Sequence, residues 1–407
     1  MNKKGLASLI EGLPPTYWLI WTGTLINRLG GFVIPFLTLY LTAQRDIPVS
    51  TAALMVSFFG AGSFLAQLGG GELTDRFGRR PVMLMSFFIT PIFMVTLGLA
   101  RDLFLISICT FIVGFFTDLY RPTVGAAIAD LVPAESRPRA YGYNYWAINM
   151  GAAIAPIVAG LLADYNFLIL FVGDAVTTAM FGLIVLFGIR ETRPVEAHHA
   201  SRMPLGERIS QVRRAPILLL FSLITLFFGI IYMQGNVTLP LDMQMHGFSP
   251  RDYGIAIAVN GLLIILVTIP VSNMAAKWPR FETMAVAAAL LGLGFGITAF
   301  ATNLPFFVLS VVIWTLGEIA GTSVSPTIIA DLSPIELRGL YQGIFGAAWG
   351  LSYFLGPLAG GWIYDRWGSD TLWVGCLILG CVIGLAYLAL SAPARRQMTG
   401  SRQLSTD

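Results

Sequence analysis

Charge is what this chain has little of. Only 12% of its 407 residues are Asp, Glu, Lys or Arg, and 56% are hydrophobic. A soluble domain carries about 25% charged residues. So few charges cannot clothe an aqueous surface over so much apolar material, which excludes a water-soluble globule and makes lipid the main solvent. The mean hydropathy of +0.74 agrees. Cysteine is equally sparse. Cys109, Cys376 and Cys381 each sit inside an apolar run and read as small packing residues, with no disulfide framework or metal-ligand spacing. No nucleophile constellation and no phosphate-binding loop stands out, so an enzyme is not expected, nor are a cofactor or a bound metal. The basic residues give no nucleic-acid surface beyond one Arg-rich stretch that topology explains. The apolar runs lack alternating polarity, which excludes a transmembrane β-barrel.

What the chain does have is long hydrophobic runs. Spans are predicted near 17–42, 50–73, 81–100, 103–129, 140–163, 167–189, 215–240, 252–276, 281–301, 304–330, 339–364 and 371–391. Each reaches the ~20 residues a helix needs to cross a bilayer. The expected fold is all-α and membrane-embedded, with twelve transmembrane helices in two six-helix bundles. Of the 25 Lys and Arg residues, Arg45, Arg101, Arg251 and Arg366 fall in the loops of one side, Arg28 and Arg121 fall within spans, and the rest fall on the other side. That bias predicts both termini in the cytoplasm of a multi-pass inner (plasma) membrane protein. Lys3 and Lys4 lead into Gly5–Leu13, which Glu11 interrupts; this stretch is too short for a signal segment and reads as an interfacial lead-in. Residues 190–214 carry six Arg, three Glu, His198 and His199, and read as a solvated cytoplasmic linker. The expected domains are thus a bundle over 1–189, the linker 190–214, and a bundle over 215–407.

The two halves are related. A shift of 201 residues lays Asp130-Leu-Val-Pro133-Ala-Glu135-Ser-Arg137 on Asp331-Leu-Ser-Pro334-Ile-Glu336-Leu-Arg338, and pairs Gly142 with Gly343, Pro156 with Pro357, Gly160 with Gly361 and Arg79 with Arg280. A parallel six-helix repeat places a substrate site between the halves near the midplane.

Between spans 2 and 3 stands Gly71-Glu-Leu-Thr-Asp75-Arg76-Phe-Gly78-Arg79-Arg80. Gly78 suits a tight turn with φ > 0. The segment resembles the loop 2–3 signature of the major facilitator superfamily, G-x-x-x-D-R-x-G-R-R, at every defining position, and the twelve-span frame extends the resemblance over essentially the whole chain. The resemblance implies a latch between Asp75 and the start of span 11, near Arg338 and Gly339, with Arg76, Arg79 and Arg80 available to Asp130 or to lipid phosphate.

Span 5 carries Gly142, Gly151, Ala155-Pro156 and Ala159-Gly160; span 11 carries Gly343, Ser352, Gly356-Pro357 and Gly360-Gly361 at the same spacing. Small residues let helices approach closely, and Pro bends a helix. The span 5 pattern resembles the antiporter signature of the superfamily, with two Gly replaced by Ala. It implies a hinge at Gly151, Pro156, Gly160, Gly356, Pro357 and Gly360, and likens the chain to bacterial drug:proton antiporters. Tyr145-Trp146-Ala147-Ile148-Asn149-Met150-Gly151 resembles a Y-x-x-I-N-x-G stretch of proton-coupled oligopeptide transporters, although span 1 has Thr24-Leu-Ile-Asn27-Arg28 where those proteins carry E-x-x-E-R.

Four ionisable residues fall near mid-membrane: Arg28, Asp118, Arg121 and Glu318. Each costs about 2.5–3.5 kcal/mol on insertion scales, so each is expected to face the bundle interior and act there. Asp118 and Arg121, three residues apart on span 4, can pair, or both can face Arg28. Asp118 is expected to respond to protons, tuned by Arg28 and Arg121, with Glu318 a second carboxylate or a contact for a cationic group. Asp174 is placed toward the outer side, with a structural role. Asn27, Tyr145, Trp146, Asn149, Gln234, Asn260, Trp314, Trp349 and Tyr353 are the candidate cavity residues, a set that suits bulky amphiphiles. The expected function is proton-gradient-driven efflux of drugs or similar small solutes by a monomer in lipid; the alternative is proton symport of a charged or zwitterionic solute such as a small peptide.

Overall fold

A computed structural model describes residues 13–133, 136–192, 210, 215–275, 277–333 and 338–403. The N-terminal lead-in, most of the 190–214 segment with its two histidines, and Glu135 and Glu336 of the repeat lie outside them. The described chain is helical, without strands. Eleven helical runs are long and apolar enough to cross a membrane, and the last, Leu340–Arg396, is 57 residues long. That last run is two helices. Gly368 (φ 82°, ψ 171°) is non-helical inside it and turns the chain between them, which restores the expected twelve.

The first helix is broken into α1a (Pro15–Leu29) and α1b (Val33–Leu39). Then come α2 (Val49–Phe77), α3 (Arg79–Leu99), α4 (Leu103–Leu131), α5 (Arg137–Tyr165) and α6 (Phe167–Gly188). The second half opens with another broken helix, α7a (Pro216–Tyr232) and α7b (Leu239–Met245), joined by one separate helical turn, Gln234–Val237. It continues with α8 (Pro250–Ala275), α9 (Arg280–Ile297) and α10 (Leu304–Leu332), then α11 (338–367) and α12 (369–403). Helices α5 and α11 run unbroken through Pro156 and Pro357. The interruptions fall in α1 and α7 instead, at Gly30–Phe32 and from Met233 to Thr238. The 201-residue shift carries Phe32 onto Met233, so the breaks share one place in the repeat.

Large apolar side chains point outward. Phe104, Phe187, Ile92, Leu266, Ile269 and Leu385 are all more than half exposed, as a lipid-facing surface requires. Inward, the bundle is held by close helix approach rather than by a dry hydrophobic drive, because lipid is as apolar as the core.

The halves meet along α2–α11 and α5–α8. A Cβ on Gly254 (α8) would fall 2.4 Å from Pro156 O (α5), one on Gly261 would fall 2.4 Å from Ala153 Cα, and one on Gly361 (α11) would meet Ala53 Cβ (α2) at 2.1 Å. Phe36 of α1b packs edge-on against Tyr253 of α8 at 5.2 Å. These contacts lie toward the ends that carry loop 1–2. Toward the loop 2–3 face the packing opens: Gly125, Gly142 and Gly343 meet nothing within 4 Å, and Tyr141, Tyr145 and Trp146 of α5 are exposed. The bundle is therefore closed on the loop 1–2 face and parted on the loop 2–3 face.

Candidate functional site

A cavity of about 300 Å³ lies between the halves, walled by Asn27, Arg28, Tyr120, Arg121, Asp174 and Thr178 from the first half and by Tyr232, Asn260, Trp314 and Tyr353 from the second. The side chains from the first half form a chain of hydrogen bonds. Tyr120 OH donates to Asn27 Oδ1 at 2.9 Å, and Asn27 Nδ2 donates to Thr178 Oγ1 at 2.8 Å. The Arg28 guanidinium stands 5.8 Å from the Tyr120 ring centroid, and its buried Nε has no hydrogen-bond acceptor among the described residues. Arg28 therefore faces the cavity and an aromatic ring.

Asp118 is 3% exposed and is not among the residues that wall the cavity. Ser63 of α2 donates to its Oδ2, and Arg121 Nε lies 2.9 Å from its Oδ1. That ion pair rests on distance, since the Nε–H is not aimed along it and Oδ1 accepts no well-directed hydrogen bond. Gln67 extends the set by donating to Ser63 Oγ at 3.2 Å. The structure thus pairs Asp118 with Arg121, and gives Arg28 to Tyr120 rather than to that pair.

Glu318 stands differently. Tyr232 OH donates to its Oε1 at 3.0 Å and Asn260 Nδ2 to its Oε2 at 2.6 Å. Asn260 is also 3.1 Å from Thr315 Oγ1. Among the described residues no Lys, Arg or His neutralises Glu318. Around it the aromatics form a wall: Tyr232 meets Trp314 and Trp349 edge-on at 5.9 Å, and Phe295 stacks on Trp314 at 5.4 Å. Trp314 Nε1 is buried without an acceptor.

Other candidates fall outside the cavity wall. Gln234 is buried between α7 and α11; its Nε2 donates to Ile230 O and Gly356 O, and its Oε1 accepts from Thr238. It is a helix-joining group, because a broken helix leaves carbonyls that a buried amide can satisfy. Asn149 turns back to donate to Tyr145 O at 2.8 Å. Trp146 stacks on Trp21 at 6.2 Å, toward the open face, and Tyr145 is exposed there. Trp349 packs against Phe228 and Tyr232. Sequence reasoning passed over Thr178 and the cavity role of Asp174. The pair Gly30-Gly31, two residues after Arg28, was the signal that span 1 breaks beside them.

At the loop 2–3 face, Gly78 adopts φ 98°, and the turn is fastened from three sides. Arg79 Nε pairs with Asp130 Oδ2 at 3.0 Å. Glu191, just beyond α6, accepts from the Arg79 and Arg80 amides at 2.9 and 3.1 Å, at the positive start of α3. Arg80 donates to Leu186 O, and Arg76 lies over the Phe77 ring. The second half repeats the ion pair as Arg280–Asp331, again 51 residues apart in sequence. The side chains of Gly71, Asp75, Arg338 and Gly339, and with them the latch, lie outside the described residues. The small residues of α5 and α11 seat helices: a Cβ on Gly151 would strike Arg28, one on Gly160 would strike Arg251, and those on Gly356 and Gly360 would strike Met233 and Gln234.

An all-helical bundle closed at one face, with a polar and aromatic cavity between related halves, is the architecture of an alternating-access membrane transporter. The chain belongs to the Major Facilitator Superfamily, whose model matches residues 20–246 and 235–405. Among curated relatives it is 24% identical over 397 residues to the MFS-type transporter YqjV of Bacillus subtilis, covering 95% of each chain. It is 23% identical over 389 residues to the multidrug resistance protein MdtH of Escherichia coli, covering 93% of this chain and 94% of that one. Among solved structures, the nucleoside transporter NupG superposes with a TM-score of 0.81 at 13% identity, over 92% of this chain and 99% of that one. A peptide transporter POT in complex with sulfate gives 0.80 at 17% identity, over 98% and 99%. Such low identities speak for the fold.

Proposed function

We propose that this transporter is a proton-coupled antiporter that exports small amphiphilic, preferentially cationic solutes, with both termini in the cytoplasm and the cavity open to the cytoplasm here. The observation that carries the reading is Glu318: a carboxylate beside the cavity, held by two neutral donors with no cation among the described residues to balance it. An unbalanced carboxylate in a low-dielectric wall favours either a proton or a cationic ligand, and both cannot occupy it at once. Competition for one group is the simplest physics of exchange. The aromatic wall of Tyr232, Trp314 and Tyr353 supplies apolar faces and cation–π surface for the rest of such a solute. Similarity to a multidrug resistance protein over 93% of the chain supports the same substrate class. Asp118, with one oxygen on Ser63 and the other beside Arg121, suits a role in positioning Arg121 at the cavity better than a role as the exchanging acid. The molecule is expected to work as a monomer in lipid, with the proton gradient as its energy source and no cofactor.

Peptide symport is the second reading, prompted by the zwitterion-like pairing of Arg28 and Arg121 on one wall with Glu318 near the other. Proteoliposomes with an imposed pH gradient separate the two. Antiport is expected to release protons when ethidium or rhodamine 6G is added and to drive the dye against its gradient. Uphill uptake of a dipeptide with proton entry, and no dye transport, would replace this reading with symport.

A further inference from the structure

Each half has a break in its first helix, and a carboxylate stands at each break. In the second half it is Glu318, bonded to Tyr232, the last residue of α7a. In the first half it is Asp174 of α6, 7% exposed and in the cavity wall. Asp174 Oδ2 accepts from the Val33 amide, the first of α1b, at 3.3 Å, and its Oδ1 accepts from the Thr178 hydroxyl at 3.5 Å. Both bonds are long for a carboxylate, and the Phe32 amide, just before α1b, also bonds to it, so the carboxylate holds two successive amides of the break. Among the described residues no cation pairs with it. The charged group facing it is Arg28 of α1a, whose buried Nε has no acceptor. Tyr120 and Arg121 of α4 line the same cavity beyond Asn27, while α3 and α5 bring no titratable side chain to its wall. The repeat lays Gly375 on Asp174 and Thr117 on Glu318, so the two acids are not copies of one ancestral residue. Each half has its own.

We infer that Asp174 is a second proton-binding site, distinct from Glu318, and that its protonation loosens the join between α1a and α1b. The inference rests on the proton-coupled reading above for its role in transport. A proton from cavity water converts the carboxylate to the acid; the acid accepts more weakly from Val33 N–H and no longer attracts Arg28. The loosened amide belongs to α1b, and α1b carries Phe36, which packs on Tyr253 across the closed face. On the other side, α6 and the break are locked together, since a Cβ on Gly30 would fall 1.9 Å from Thr177 Oγ1. Protonation at Asp174 therefore acts on one of the contacts that keep the loop 1–2 face shut.

Hydrogen exchange on the purified full-length protein tests this without a substrate. Between about pH 8 and about pH 5, and after correction for intrinsic exchange, protection of the amides of residues 30–37 is expected to fall about tenfold, the scale of one charge-assisted hydrogen bond. Asp174→Asn removes that response, Asp174→Glu keeps it with a changed midpoint, and Glu318→Gln leaves it in place. A wild-type response that is flat with pH overturns the inference even if Asp174→Asn cannot be purified, and so does an Asp174→Asn response like that of wild type. Ethidium transport in proteoliposomes is scored separately. Loss of proton coupling there with the exchange response intact would sink the antiport reading and leave Asp174 as a proton site on the break.

Discussion

At the scale of single residues, the surroundings of a charge matter more than its presence in the membrane. Asp118 and Glu318 are both carboxylates on long apolar helices, yet one is balanced by the charge of Arg121 and bonded to Ser63, and the other is held by an amide and a phenol. Glu318→Gln keeps the size and the contact with Tyr232 but loses the charge. Export of a cationic dye is expected to fall roughly 10–100-fold, the worth of a charge-assisted contact, with expression and melting temperature near wild type; unchanged dye export would remove Glu318 from the site. Asp118→Ala leaves Ser63 without its acceptor and Arg121 without its opposite charge. Because the Arg121 side chain is 47% exposed, solvent screens the loss, and a cost of about 1–3 kcal/mol is expected in the melting of the purified protein. Asp118→Asn retains the Ser63 contact and is expected to keep gradient-driven transport at reduced rate; complete loss of coupling would return Asp118 to the role that its place in span 4 first suggested.

At the scale of elements, the closed face depends on backbone-to-backbone approach. Gly261→Leu would drive a side chain into Ala153 of α5, where even a Cβ comes within 2.4 Å. The α5–α8 contact is expected to part, and spin labels near the loop 1–2 ends of the two helices should report longer distances than in wild type. Unaltered distances would mean that the interface is softer than its geometry implies. The fastening at the start of α3 is more heavily built than its counterpart at α9. Arg79 is joined by Glu191 and by the neighbouring Arg80 contact, whereas Arg280 has its partner Asp331. Arg79→Gln is therefore expected to lower the melting temperature and transport rate more than Arg280→Gln, measured side by side. The motif Gly71–Arg80 was legible as a turn from its spacing, and the Arg79–Asp130 pair was one of its stated partners. Glu191 was not legible, because it arrives from beyond α6, more than a hundred residues away.

At the scale of the whole molecule, the charge bias of the loops predicts an orientation that labelling can check. A cysteine introduced at Asp46 should react with an impermeant maleimide in intact cells, and one introduced at Phe77 should not, once Cys109, Cys376 and Cys381 are replaced; the reverse pattern would invert the topology. Length and composition by themselves determined the solvent, the helical class and the number of spans, since those follow from hydrophobic run length and from the backbone's need for internal hydrogen bonds in lipid. The repeat and the loop motif carried the architecture, because both are written in residue identity at fixed spacing. The tertiary structure alone decided which of the intramembrane charges pair, which face is closed, and where the first helix of each half breaks. Those outcomes depend on which helices become neighbours: whether Asp118 meets Ser63, whether Glu318 meets Asn260, whether Asp174 reaches the start of α1b. A single helix's sequence gives the face on which a carboxylate lies, but the partner comes from another helix and its distance is set by packing. Charge scarcity announced a membrane protein; the few charges that remain inside it acquire their separate roles only from what the fold puts beside them.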